Sequence, residues 1–162
     1  MNESLKILIA KLDHLRRMKR DLEYSISKMK APLRKIQSGN IESLTDDERE
    51  TISAFNSRFS SYQEQIGKAM KSVAIEEESS SERFGAILSL MEKLGVLDDT
   101  QKWREVRELR NSANHVYEDD AEELFQILST MIENAPYLYN IHEQMWIFVK
   151  GAYIDPLQGN QQ

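Results

Sequence analysis

Glu3-Ser-Leu-Lys-Ile-Leu-Ile-Ala-Lys-Leu-Asp-His-Leu-Arg-Arg-Met-Lys-Arg-Asp-Leu-Glu-Tyr-Ser-Ile-Ser-Lys-Met29 decides the fold class. Its apolar residues Leu5, Ile9, Leu12, Leu15, Leu22, Ile26 and Met29 recur at three- and four-residue steps, apart from one seven-residue stretch that is itself two turns. That is the period of a helix with one buried face. The opposite face carries Lys11, Arg16, Arg17, Lys19 and Arg20. The spacing predicts a single helix of roughly 40 Å at ~1.5 Å per residue. It should weaken near Pro32 and stop by the turn-like Gln37-Ser-Gly-Asn40.

Downstream, the same period repeats between start and stop signals. Thr45-Asp-Asp-Glu48 is a capping box opening a helix whose core face is Ile52, Phe55, Phe59, Tyr62, Ile66 and Met70, running to about Ala74. Glu76-Glu-Glu-Ser-Ser-Ser81 reads as a solvated break, and Ser79-x-x-Glu82 offers a cap for a third helix carrying Phe84, Ile87, Leu88, Met91 and Leu94, closed by Gly95. Asp98 or Asp99 caps a short helix through Trp103, Val106 and Arg110. Acids from Glu118 to Glu123 open a last long helix using Leu124, Ile127, Leu128, Met131 and Ile132, with a kink near Pro136 and continuation toward Val149. No strand-like alternation or internal repeat interrupts this order. The expectation is an all-α, antiparallel up-and-down bundle of four to five helices with a long N-terminal helix, one domain over 1–150, and a flexible tail over 151–162.

Composition narrows the function classes. In 162 residues there are six Gly, three Pro and no Cys, and 30% of residues are charged. This argues for solvated helices, against a turn-rich β fold, and excludes a disulfide framework, a thiolate nucleophile or a Cys-based zinc site. His14, His115 and His142 are too scattered to read as a metal cluster, so no metal or other cofactor is expected. Apolar stretches such as Ile7–Ala10 and Trp146–Val149 fall far short of the ~20 residues of a membrane span. Met1-Asn-Glu-Ser lacks the features of a secretory signal, which gives a cytoplasmic protein without a membrane partner as the expectation. The net charge of −6 is unevenly placed: residues 1–40 hold ten basic and four acidic residues, and the rest eleven and twenty-three. A basic first helix can touch phosphates, but in a bundle it more commonly pairs with acids of the same molecule.

The segment Trp103-Arg-Glu-Val-Arg-Glu-Leu-Arg-Asn-Ser-Ala-Asn-His-Val-Tyr117 carries the chemistry. Steps of about 100° put Arg110 on the side of Trp103, Asn114 and Tyr117, beside a core-directed stripe with Val106 and Ala113. A guanidinium there requires a partner, and Glu118 or Asp119 would serve. Arg110 and His115 are five residues apart, about 140° off one face of an ideal helix. They converge if the helix ends near Asn114, or if a second copy of the motif across a two-fold axis supplies the missing groups. The acids Glu118, Asp119 and Asp120 read as helix-start residues rather than metal ligands.

Arg110-Asn111-Ser112-Ala113-Asn114-His115-Val116-Tyr117 has the form Arg-Asn-x3-His-x-Tyr at the junction of two helices. It resembles the signature of HEPN-domain proteins, specifically the HepT-type toxins paired with minimal nucleotidyltransferase antitoxins. Trp103 seven residues before the Arg, acids after the Tyr and the order of helices extend the likeness over about residues 45–150. The long basic segment 1–40 departs from the compact members. The resemblance implies a homodimer whose two motifs face a polar cleft and cleave RNA without metal. Arg110 and His115 would be catalytic, with Asn111, Asn114, Arg107 and Lys102 binding substrate. It also implies that Tyr117 is the position a cognate nucleotidyltransferase modifies with AMP, a bulky negative charge at the cleft mouth that would repel RNA. The same cleft would equally suit a non-catalytic, substrate-binding subunit of a minimal nucleotidyltransferase. A purely structural bundle is the third reading, and the motif disfavours it.

Overall fold

The computed structural model describes residues 1–79, 83–113 and 120–160. Helix α1, Glu3–Ser27, starts where the Asn2 side chain accepts the Leu5 N–H at 2.8 Å. Leu5, Leu8, Leu12, Leu15 and Leu22 form its buried stripe, while Ile9 and Ile26 flank it half-exposed. The helix breaks earlier than expected, at Lys28 and Met29, and α2 follows over Lys30–Gln37. Pro32 causes no interruption because it occupies the first turn of α2, where a missing N–H leaves no bond unmade. One helix is therefore two, with Met29 buried at the bend.

A short 3-10 turn, Ile41–Ser43, leads into α3, Asp46–Glu76, and here the capping box forms as the sequence indicates. Thr45 Oγ1 accepts the Glu48 N–H, and Glu48 Oε1 accepts the Thr45 N–H, both at 3.1 Å. At its far end Glu78 takes a left-handed φ of 57°, so that its N–H reaches Ile75 O and the Ser79 N–H reaches Ala74 O. This Schellman closure commits Ser79 to ending α3. The next helix, α4, accordingly begins at Phe84 behind Arg83, not at the expected Ser79 cap. Equivalent closures end α2 at Gly39 and α4 at Gly95, each with φ +77°, which glycine adopts freely and glutamate does not.

Helix α5, Thr100–Ala113, is capped by Asp99, whose Oδ1 accepts the N–H groups of Gln101 and Lys102 at 3.0 and 3.2 Å. Helix α6, Ala121–Val149, is capped by Asp120 accepting the Glu123 N–H at 3.0 Å and continues through Pro136. A π-helical turn, Lys150–Ile154, and α7, Asp155–Gly159, follow where a flexible tail was expected. Tyr153 of that turn packs edge-on against Phe148 and donates its hydroxyl proton to Glu77.

Cross-helix bonds give the directions. Lys11 meets Ser72 and Arg58 meets Ser25, so α1 and α3 are antiparallel. Trp103 and Arg110 lie against Gly67 and Gln63, so α5 runs opposite to α3. Leu12 meets His142 and Lys19 meets Tyr139, so α6 runs opposite to α1. The described residues thus form an up-and-down, all-α bundle without strands, built on α1, α3, α5 and α6. A contiguous core of their apolar faces centres on Phe55, Phe59, Tyr62, Ile66 and Met70 of α3. No helix among the described residues is long and apolar enough to cross a membrane.

His142 joins the three long helices. Its Nε2–H donates to Leu12 O at 3.2 Å, leaving Nδ1 to accept the Tyr62 hydroxyl at 3.1 Å. Both bonds suit the neutral ring. Burial holds its pKa below the ordinary value, aided by Lys19 and Arg16 and opposed by the Leu12 carbonyl and Glu143. Because the unfolded imidazole titrates near 6.5, the unfolded chain takes up more protons between that value and the depressed folded one. Stability contributed above about pH 6.5 is therefore lost as pH falls through this window. Urea unfolding at pH 7.5 and 5.5 should show a larger loss for the native chain than for His142→Gln, and equal losses would refute this role. At the α3 terminus, Glu78→Gly should raise the unfolding free energy by about 1 kcal/mol through relief of the left-handed backbone. An unchanged or lower urea midpoint would contradict that account.

Candidate functional site

Helix α5 owes its orientation to two buried residues, Trp103 and Val106. The Trp103 ring lies on α3 at Gly67, where an added Cβ would sit 3.5 Å from Trp103 Cζ2 and 3.6 Å from Phe84 Cζ. An alanine methyl would meet both rings at ordinary contact distance, so the glycine leaves space against them without being sterically required. Arg107 and Arg110, four and seven residues after Trp103, share its direction on the helix. Together with Lys68, Lys71 and the half-buried Phe84 they border a cleft of about 440 Å³ between α3, α4 and α5.

Arg110 is the inner end of that cleft. Its Nη1–H donates to Gln63 Oε1 at 2.8 Å, and Gln63 is only 2% exposed. A weaker contact runs from Arg110 Nη2 to Asn111 Oδ1 at 3.4 Å. The arginine therefore has the partner its position requires, but the partner is a neutral amide of α3. Glu118 and Asp119, the acids expected to pair with it, lie outside the described residues. A carboxylate would cancel the guanidinium charge, whereas an amide orients it and leaves the charge available to an anion. Glu64 forms an ion pair with Lys68 at 3.5 Å; Lys71, Arg107 and Arg110 have none among the described residues.

The expected site is thus assembled in part. Arg107 and Arg110 line the cleft, and Asn111 touches Arg110 without lining it. Lys102 is not: its ammonium lies 5.0 Å from the centre of the Tyr137 ring, in the contact between α5 and α6. One residue before Trp103 means about 100° around the helix, which turns Lys102 away from the cleft. Asn114, His115 and Tyr117 lie outside the described residues. On α1, the basic face is partly engaged within the molecule, as the commoner reading of such a face has it. Arg16 pairs with Asp13 at 3.6 Å, Lys19 with Glu23 at 3.9 Å, and Lys11 donates to Ser72 at 2.9 Å.

The periodicity does not mark Gln63, Gly67, Lys68 or Lys71 as site residues, and Phe84, expected on a core face, packs against the core while also lining the cleft. A glycine in the middle of a 31-residue helix was the available signal, since it costs about 1 kcal/mol relative to alanine and calls for a packing reason. No group of three or more His, Asp or Glu side chains among the described residues is placed to hold a metal ion. No family model, curated protein or solved structure matches this chain.

The Gln63–Arg110 bond can be measured directly. Gln63→Leu and Arg110→Ala, singly and together, should give a double-mutant coupling of about 1 kcal/mol, the value of a charge-assisted bond partly open to water. Urea denaturation giving additive effects would show that the bond does not hold the arginine.

Proposed function

We propose that this chain is a metal-independent endoribonuclease of the HepT type, working in the cytoplasm as a homodimer and silenced by a cognate minimal nucleotidyltransferase. The observation that carries the reading is Arg110. The motif's arginine is held at the inner end of a cationic cleft by a neutral amide, with its charge uncompensated among the described residues. A buried structural arginine is normally matched to a carboxylate, since a charge removed from water is costly without one. An arginine that is only half-buried and has only amide partners among the described residues is suited to receive a phosphate.

The chemistry requires little more. RNA carries its own nucleophile, the 2′-hydroxyl. A base takes its proton as the oxygen attacks phosphorus, an acid gives a proton to the departing 5′-oxygen, and a 2′,3′-cyclic phosphate and a free 5′-hydroxyl result. Arg110 would hold the non-bridging oxygens through two parallel hydrogen bonds as their charge grows. His115, titrating near neutrality when unperturbed, would serve as acid or base, and a second copy across the dimer would supply the other role. Arg107, with Asn111 and Asn114, would contribute to phosphate binding beside Arg110. AMP attached to Tyr117 would place negative charge against the same cations and exclude the substrate.

The purified full chain should cleave total RNA or tRNA in the presence of EDTA. Arg110→Ala and His115→Ala, both folded by circular dichroism, should each lower the rate by about a hundredfold or more. Absence of cleavage by the native chain, alongside tight binding to a nucleotidyltransferase encoded beside it, would replace this reading with that of a non-catalytic subunit.

A further inference from the structure

We propose that the cleft between α3, α4 and α5 is a single-nucleotide subsite, in which Phe84 is the platform for a base and Lys71, Arg107 and Arg110 receive the adjoining phosphate. The inference rests on the ribonuclease reading for the identity of the polymer, single-stranded RNA. The subsite itself stands on the geometry of the cleft.

Phe84 opens α4, yet it is only half-buried, unlike Ile87, Leu88 and Met91 further along the same helix. Its ring stands 6.4 Å from that of Trp103 with their planes 34° apart. Trp103 packs against the phenyl ring, and Gly67 of α3 presents no side chain to either of them. A half-exposed aromatic ring, backed by a second ring and set beside cations, is an arrangement that suits single-stranded nucleic acid, because every base has a face to stack and every nucleotide a phosphate to neutralise. The size agrees: about 440 Å³ lies within the roughly 300–1,000 Å³ of small-ligand clefts.

The cleft is also asymmetric in a useful sense. Phe84 and Trp103 lie on the α4 side, while Arg110 and Gln63 lie at the C-terminal end of α5, where the chain enters the His115 segment. A base on Phe84 would therefore belong to a nucleotide next to the phosphate held by Arg110. Phe84 would then position the chain for cleavage without touching the reacting atoms, while Arg110 would serve both the subsite and the reacting phosphate. Lys68, tied to Glu64, would tune the rim without carrying the phosphate. Sequence preference would be modest, since stacking discriminates weakly among bases.

Calorimetric titration of the full-length His115→Ala chain with AMP, adenosine and inorganic phosphate tests this without turnover. AMP should bind at least tenfold more tightly than adenosine or phosphate alone. Phe84→Leu preserves the apolar contact with Trp103 but removes the stacking face, and should weaken AMP about tenfold, with Phe84→Trp restoring it. Lys71→Ala should weaken AMP and phosphate but leave adenosine unchanged. Equal affinities for AMP in Phe84→Leu and its parent, with both chains folded, would overturn the subsite whether or not the native chain cleaves RNA. Conversely, Phe84-dependent AMP binding by a native chain that cleaves no RNA would keep the subsite and reject the ribonuclease.

Discussion

The contact of Trp103 with the α3 backbone at Gly67 governs the geometry of the site. Helix α5 has fourteen residues and, among the buried ones, only Trp103 and Val106. Its register on α3 is therefore set by one large ring. Truncation of a buried tryptophan typically costs about 3–5 kcal/mol, more than any surface pair on α5 could replace. Arg107 and Arg110 follow from it by helical geometry, because steps of four and seven residues return to within about 40° of the starting direction. What seats the indole also aims the two guanidiniums.

That arrangement is maintained against local stability. Gly67 lies inside a long helix, where an alanine would be favoured by about 1 kcal/mol. Gly67 leaves enough room for an alanine methyl at ordinary contact distance. Trp103 Nε1 is buried without a hydrogen-bond partner among the described residues, and such a donor ordinarily costs about 1–3 kcal/mol. Gln63 removes a polar amide from water for the sake of one arginine. Side chains cap α1, α3, α5 and α6 and leucines line α1. Other departures lie away from this crossing, at the left-handed Glu78, and at Asn56 Oδ1, Ser60 Oγ and the Tyr139 hydroxyl, which are buried without a partner among the described residues. The crossing of α3 and α5 thus gathers an interior glycine, an indole N–H unpartnered among the described residues and a buried amide.

How much of this was legible depended on the range of the interaction involved. Caps act within four residues, so Thr45, Asp99 and the acids before α6 declared themselves. Helical phase acts along one element, so the periodicity identified Trp103, Val106 and Arg110 as neighbours on a common side. The break at Lys28 and Met29 was not legible, because the stripe of α1 continues in phase through Met29 and the more conspicuous Pro32 is harmless in a first turn. Ser79 misled because its capping pattern competes with a Schellman closure through Glu78, a residue seldom found in the left-handed region. Gln63 and Lys71 belong to the site through the crossing of two helices, and no pattern within α3 says which helix will cross it. Lys102 shows the converse: basic and one residue from Trp103, it still faces α6.

Charge follows the same logic of range. The chain carries −6 overall, although its first forty residues are basic. Yet fields between exposed charges decay over about 8 Å at physiological ionic strength, so the sum matters less than what lies beside the cleft. On α1, Arg16 and Lys19 are offset by Asp13 and Glu23, and Lys11 is bonded to Ser72. Among the described residues lining the cleft, one carboxylate is matched by Lys68, leaving Lys71, Arg107 and Arg110 to set the local potential. Three cations on a single-stranded polyanion correspond to a salt slope of only about −2. Such a surface cannot hold RNA by charge alone. Under the proposed ribonuclease function, selection of RNA would therefore come from shape and stacking, with Phe84 and the amide that aims Arg110 carrying it.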